Sequence, residues 1–187
     1  RSKHQELKVD YLLPEELIVM MDDDKLEKII YNLLSNAFKF TPQFGKITMT
    51  IKPVSVSAFD LNTSDKVDIV FEVSDTGKGI PAEDLPFIFD RFFQSSKMEE
   101  SNTGGSGIGL AFAKELTHAL NGELMAKSEQ GKGSTFRLVL PFSKASSTVP
   151  TEQVSDVTAA ELIPMVMPAT GEEGIRLEKA HTILLVD

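Results

Sequence analysis

The spacing of apolar positions changes several times along the chain, and each change marks an element. Leu7, Val9, Tyr11 and Leu13 alternate with polar neighbours, the period of a half-buried strand, which Pro14 closes. From Leu26 the period lengthens. Leu26, Ile29, Ile30, Leu33, Leu34 and Ala37 form one helical stripe, broad enough to cover a sheet. Asp24 followed three residues later by Glu27 fits an acidic form of the capping box, so a helix is expected to start there and to end before Pro42. Alternation returns in Ile47, Met49 and Ile51, and again in Val67, Ile69, Phe71 and Val73. These read as two strands joined by a polar loop of about a dozen residues.

Asp75-Thr76-Gly77-Lys78-Gly79 is an abrupt turn, and residues 83–93 read as short helical turns rich in phenylalanine. Residues 95–107 are polar, glycine-rich and without period, which predicts a mobile loop. A helix is expected from about Ile108 to Leu120, ended by Asn121-Gly122. Two strands follow, near Glu123–Ser128 and Thr135–Leu140, linked by a tight turn at Gln130–Gly133. Strands, helix, strands, helix, strands, with hairpin-length connections, predict an α+β fold. It is expected to be a two-layer sandwich, a mixed and mostly antiparallel sheet covered by helices on one face. After Pro141 the composition turns to Ser, Thr, Ala, Pro and Glu, and residues 143–179 read as a linker. There is no internal repeat.

Of 187 residues 41% are hydrophobic and 25% charged, the balance of a chain with a packed core. The 28 acidic and 19 basic residues leave a formal charge of −9, which argues against a nucleic-acid partner. There is no cysteine, so disulfides, thiolate metal sites and cysteine nucleophiles are excluded. No run approaches the roughly 18 apolar residues of a membrane span, and the N-terminus lacks a signal peptide's apolar region. The start on Arg1 and the apolar end Ile183–Val186 read as those of a piece of something longer.

Candidate chemistry begins on the first helix. Asn32, Asn36 and Lys39 stand at i, i+4 and i+7, so two amides and an ammonium share a face. An amide oxygen is a hard neutral ligand suited to Mg²⁺, and a lysine beside it can contact phosphates that the metal bridges. From the spacing alone a solvated polar face is the plainer account. In the turn after the second alternating pair, Asp75 can accept a hydrogen bond from a buried donor such as an exocyclic amine, while Gly77 and Gly79 allow close approach to the backbone. Asp-x-Gly is also a common way to end a strand. Gly104–Leu110 runs straight into a helix, and uncovered N–H groups there form a ready anion site. Its G-x-G-x-G spacing after a polar loop is neither the dinucleotide fingerprint nor a P-loop. Gly131–Phe136 taken alone is a hairpin turn. Phe87, Phe89, Phe92 and Phe93 suggest the packed base of a lid, and His4, His118 and His181 show no metal-ligand spacing.

The combination is far more specific than its parts. NLLSNAFKFTP, SDTGKGIP, IFDRFFQ, GGSGIGLAFAKEL and GKGSTF occur in one order. They resemble the N box, first glycine box, F box, second glycine box and third glycine box of the ATP-binding catalytic domain of sensor histidine kinases. The likeness covers about residues 5–142 and implies the Bergerat fold, shared with DNA gyrase and the mismatch-repair ATPases. It implies ATP and Mg²⁺ as cofactors. Asn36 would coordinate the metal, with Asn32 as polar support one turn earlier in a catalytic group of Asn32, Asn36 and Lys39. Lys39 would contact the phosphates and Phe40 would lie beside the nucleotide. Asp75 would read the adenine amine, with Gly77 and Gly79 making room, and Thr135, or Ser134 beside it, would complete the adenine pocket. Gly105, Gly107 and Gly109 would line the triphosphate, and Ile80, Phe89, Ile108 and Leu110 would supply apolar walls.

Gyrase-type ATPases place a glutamate, the base that activates water, one turn before the metal-binding asparagine. Here that position is Asn32, and an amide cannot take a proton from water. A kinase is therefore expected, rather than a gyrase-type ATPase or a nucleotide-sensing module. The family's phosphoacceptor histidine lies in an upstream dimerisation hairpin, for which His4 sits too close to the first strand. The implied partners are that hairpin domain and a receiver domain or response regulator. The implied place is the cytoplasmic part of a membrane-anchored sensor. Residues 180–187, AHTILLVD, resemble the first strand of a receiver, so the parent is expected to be a hybrid kinase.

Overall fold

The computed structural model describes residues 4–13, 17–54, 65–94 and 106–144, and the backbone of 155–156 and 184–186. In chain order the elements are β1 (Glu6–Tyr11), β2 (Val19–Met20), α1 (Asp23–Phe40), β3 (Lys46–Pro53) and β4 (Lys66–Asp75). A 3₁₀ turn (Leu85–Phe87), α2 (Gly109–Ala119), β5 (Glu123–Glu129) and β6 (Gly133–Lys144) follow. Two short strands, β7 (Ser155–Asp156) and β8 (Leu184–Val186), complete the set.

One mixed sheet carries the fold. β1 runs parallel to β3, and β3, β4 and β6 form an antiparallel core of long strands. β6 is shared along its other edge, by β5 as far as Glu123↔Val139 and by β2 at Met20↔Ser143. β8 lies parallel to β2, and β7 pairs with β8. The expected strand end at Leu140 is overrun, because β6 continues through Pro141 to Lys144. Lys144 donates its N–H to Asp65, so odd-numbered N–H groups of this stretch face away from β4. Pro141 falls in the gap between β5 and β2, where the missing N–H breaks no pairing.

The odd positions of β4, Val67 to Val73, and the even positions of β6, Phe136 to Phe142, face the helices and are buried. Ile29, Leu33, Ile47 and Leu138 are at 0% exposure where α1 meets the sheet. Leu26 of the expected stripe is only partly buried, since it lies in the helix's first turn. That turn also starts earlier than the capping-box pattern implies. Asp22 is the cap, its side chain accepting from the Lys25 N–H at 3.0 Å, and Asp24 is already helical. The triple Asp22-Asp23-Asp24 offers three capping carboxylates, and the first of them wins.

The other end of α1 is held by Gln5 of the segment entering β1. Its amide donates to the carbonyls of Phe38 and Thr41 at the C-terminal end of the helix. This clasp fixes the last turn of α1, where the candidate ligands lie. α2 stops where expected, but Asn121 takes the left-handed conformation, with φ 55°.

Candidate active site

Three segments converge at the C-terminal end of α1. The carbonyl of Phe40 accepts the Lys78 N–H at 3.4 Å, and a side chain at Gly77 would lie 2.6 Å from that same oxygen. The last turn of α1 therefore rests directly on the Asp75–Gly79 turn. On its far side this turn meets the β5–β6 connection. Gly131 donates to the Lys78 carbonyl at 2.7 Å, and Ile80 donates to Ser128 Oγ at 2.7 Å. Gly79 sits at φ +66° with its Cβ position 2.1 Å from the Glu129 carbonyl, so both conformation and space require glycine there.

Asp75 is half-buried at the end of β4. Its Oδ1 accepts the Gly77 N–H at 2.7 Å, and Ser134 also donates its backbone N–H to the carboxylate. Burial raises its pKa above the ordinary value, and the two N–H donors offset part of that rise. A carboxylate that is partly desolvated yet still accepting is suited to a neutral polar donor. Because the folded carboxyl titrates above its unfolded value, the fold loses stability as pH rises from the unfolded pKa through the folded one. Asp75→Asn is thus expected to leave the empty domain as stable as the parent at pH 4, and more stable at pH 8, in urea melts at the two values. A variant less stable than the parent at pH 8 would contradict this.

Asp75 pairs with Ser134, and both lie on the helix-covered face. Thr135 points to the opposite face, where its hydroxyl meets Ser74 at 2.9 Å. Of the two hydroxyls offered for the pocket, Ser134 is therefore beside Asp75 and Thr135 is not. The cause is the two-residue period of a strand, which turns neighbours to opposite faces. Ser134 is buried and its Oγ lies 3.0 Å from Ser128 Oγ, which also donates to the Gly133 carbonyl.

Asn36, Lys39 and Phe40 are half-buried on the last turns of α1. The Lys39 ammonium stands 4.9 Å from the Phe40 ring centroid, and the Lys78 ammonium stands 5.0 Å from it. Burial, and secondarily the charge of Lys78, hold the Lys39 pKa below its ordinary value. Asn32 is turned to the second helix. Its Nδ2 donates to the Lys28 carbonyl at 2.7 Å, and a Cβ on Gly109 would lie 2.6 Å from its Oδ1. Its place is at the α1–α2 seam, beside one of the glycines expected to line the triphosphate.

Gly107, at φ +68°, packs against the backbone of Phe92, whose N–H donates to the Gly107 carbonyl at 2.9 Å. Ile108 caps α2 without a side-chain hydrogen bond and is exposed, while Leu110, Ile80 and Phe89 pack against the core. Phe93 does so too, whereas Phe87 and Phe92 are exposed, so only half of the expected phenylalanine base is packed. The Lys114 ammonium lies 5.2 Å from the Phe89 ring centroid and ties α2 to that segment. Of the expected lid at 95–107, residues 95–105, Gly105 among them, lie outside the described residues. Lys78 and Ser128 also stand in this cluster, and spacing did not single them out. Lys78 was visible inside the glycine turn, while Ser128 carries no signal beyond its even position in β5.

The sequence profile of histidine kinase-, DNA gyrase B- and HSP90-like ATPases matches residues 21–144. Sensor histidine kinase WalK of Bacillus subtilis is 35% identical over 144 residues, which is 76% of this chain and 22% of WalK. Hybrid signal transduction histidine kinase D of Dictyostelium discoideum is 38% identical over 143 residues, 69% of this chain and 9% of that protein. The chain thus spans under a quarter of either relative. Among solved structures, full-length ShkA in complex with AMPPNP superposes with a TM-score of 0.60 at 27% identity, over 79% of this chain and 27% of ShkA. The mycobacterial sensor histidine kinase MprB superposes with a TM-score of 0.58 at 25% identity, over 76% of this chain and 85% of that one. Fold, site and sequence agree: the chain belongs to the family of histidine kinase-, DNA gyrase B- and HSP90-like ATPases.

Proposed function

We propose that this domain binds Mg·ATP at the end of α1 and donates the γ-phosphoryl group to a histidine on a separate dimerisation domain. The observation that carries the reading is the seating of the Asn36–Phe40 turn on the Asp75–Gly79 turn, which joins a metal-ligand type, a phosphate cation and a base reader in one place. Asp75 accepts from the adenine amine, and Ser134 lies beside it. Lys39 meets the phosphates. Asn32, through Gly109, holds the start of α2 against α1, where the uncapped N–H groups of Gly109 and Leu110 face the phosphate chain.

The donor set fits Mg²⁺. Among the described residues no group of three or more His, Cys, Asp or Glu is placed to hold a metal. Mg²⁺ keeps water and phosphate oxygens as ligands and needs few from the protein, so one neutral amide, Asn36, suffices. When bound, the ion supplies charge neutralisation along the phosphates. The transfer itself is positioning and charge stabilisation, and the acceptor must come in line from another domain. Asn32 cannot act as a base toward water, which favours transfer over hydrolysis.

Within the parent, residues 1–142 act as the catalytic domain, 143–179 as a linker, and 180–187 as the first strand of a receiver in a hybrid kinase. The domain works on the cytoplasmic side with its hairpin domain and a receiver as partners. No helix among the described residues is long and apolar enough to cross a membrane.

Displacement of a fluorescent ATP analogue tests the site. ATP is expected to outcompete GTP at least about tenfold, since guanine presents a carbonyl to the Asp75 carboxylate and leaves both unpaired. Equal displacement by GTP would remove Asp75 from base recognition.

A further inference from the structure

We propose that Ser128 is a positioning residue for base recognition, which holds the Ser134 hydroxyl as a hydrogen-bond acceptor beside Asp75. The inference rests on the ATP-binding reading and adds to it a residue that acts through another. Ser128 pairs with Ser134 across β5 and β6, and Ser134 pairs with Asp75 across β6 and β4. Directly paired residues turn to the same face of a sheet, so the three side chains form one row on the helix-covered side.

The direction of the Ser128–Ser134 contact follows from counting protons. A serine hydroxyl has one proton and two lone pairs. The Ile80 N–H, 2.7 Å from Ser128 Oγ, can only donate and takes one lone pair. The Gly133 carbonyl, 2.8 Å away, can only accept and takes the proton. The third contact is Ser134 Oγ at 3.0 Å. With its own proton committed, Ser128 can only accept there, so the proton between the two serines belongs to Ser134. Ser134 is left with lone pairs and nothing to donate. Both partners that force this are backbone groups held in place. Gly133 is wedged with its Cβ position 1.9 Å from the Asp75 carbonyl, and Ile80 directly follows the Asp75–Gly79 turn. Asp75 takes its own hydrogen bonds from the backbone N–H groups of Gly77 and Ser134, and so does not draw on the Ser134 hydroxyl. An exocyclic amine brings two protons to a site that offers acceptors, whereas a carbonyl in its place meets acceptors alone. Without the Ser128 hydroxyl, Ser134 regains its proton and can offer it to that carbonyl.

The test compares ATP with inosine triphosphate, which carries a carbonyl in place of the amine, as competitors of a fluorescent ATP analogue on the whole chain. Ser128→Ala is expected to narrow the preference for ATP about fivefold, the size of one neutral hydrogen bond. Ser128→Thr, which keeps the hydroxyl, should retain the preference. In a Ser134→Ala background, adding Ser128→Ala should leave the preference where Ser134→Ala alone puts it, because Ser128 acts through Ser134. Should Ser128→Ala lose its fold, Ser128→Cys replaces it, since a thiol is a weak partner for either bond. A serine that only holds the Ile80 N–H would weaken both nucleotides equally. That result overturns the proposal, as does an unchanged preference, or a further narrowing in the Ser134→Ala background. Failure of the parent chain to bind the analogue or ATP at all would instead overturn the ATP-binding reading itself, and this inference with it.

Discussion

Asn36→Ala is expected to abolish the Mg²⁺-dependent part of ATP affinity and to slow phosphoryl transfer at least about 100-fold, the loss of a metal-borne stabilisation of several kcal/mol. Asn36 lies one turn before Phe40, whose carbonyl carries the contact to the Lys78 N–H, and the proposed reading puts its amide beside the phosphates. Truncation removes the ligand without disturbing the helix. Alanine is the better helix former, Asn36 is only half-buried, and the Gln5 clasp on Phe38 and Thr41 still fixes the turn. The variant should melt at or above the parent's temperature while ATP titrations with and without Mg²⁺ become alike. An unchanged response to the metal in a folded variant would take Asn36 out of the metal site.

Gly133→Ala carries the largest expected effect on the fold. A Cβ there would lie 1.9 Å from the Asp75 carbonyl oxygen, and the residue sits at φ +116°. Neither backbone can move alone, because Asp75 and Ser134 are paired at the start of the β4–β6 ladder. A loss of about 3 kcal/mol or more is expected, from overpacking added to a conformation that alanine avoids. Gly131→Ala is the control. Gly131 shares the turn and has φ +84°, but nothing lies within 4 Å of its Cβ position, so only conformational strain of about 1 kcal/mol remains. Denaturant unfolding of the two variants separates close approach from backbone strain. Equal losses would mean that the contact with Asp75 yields freely.

Most of the architecture was legible because the sheet and α1 have one wet and one dry face. The alternation of Ile47, Met49 and Ile51 and of Val67 to Val73 is the core face of β3 and β4, and the stripe on α1 is what covers it. What stayed hidden depends on tertiary neighbours. Pro141 reads as a strand end until the gap between β5 and β2 is seen beside it. Asp24 and Glu27 satisfy a capping pattern, yet Asp22 takes the Lys25 N–H. In the site, Asn36, Lys39, Phe40 and Asp75 were singled out by the family resemblance, since their spacing alone reads as a solvated face and a strand end. Thr135 and Ser134 could not be separated until the register set Asp75 against Ser134. Asn32 shares the face of Asn36 in the sequence, but its nearness to Gly109, far along the chain, is visible only in the fold.

The claim that this domain transfers phosphate to a partner, and does not hydrolyse ATP, is tested most directly by labelling with ATP radioactive in its γ-phosphate. Incubated alone, the chain should neither label itself nor release phosphate appreciably, because the proposed acceptor belongs to another domain and Asn32 is no base. Mixed with the dimerisation hairpin of its own parent, it should place label on that domain's histidine, in an acid-labile bond typical of a phosphorylated imidazole, and Asn36→Ala should abolish the signal. Acid-stable label on this chain, or rapid ATP hydrolysis that survives Asn32→Ala, would contradict the account.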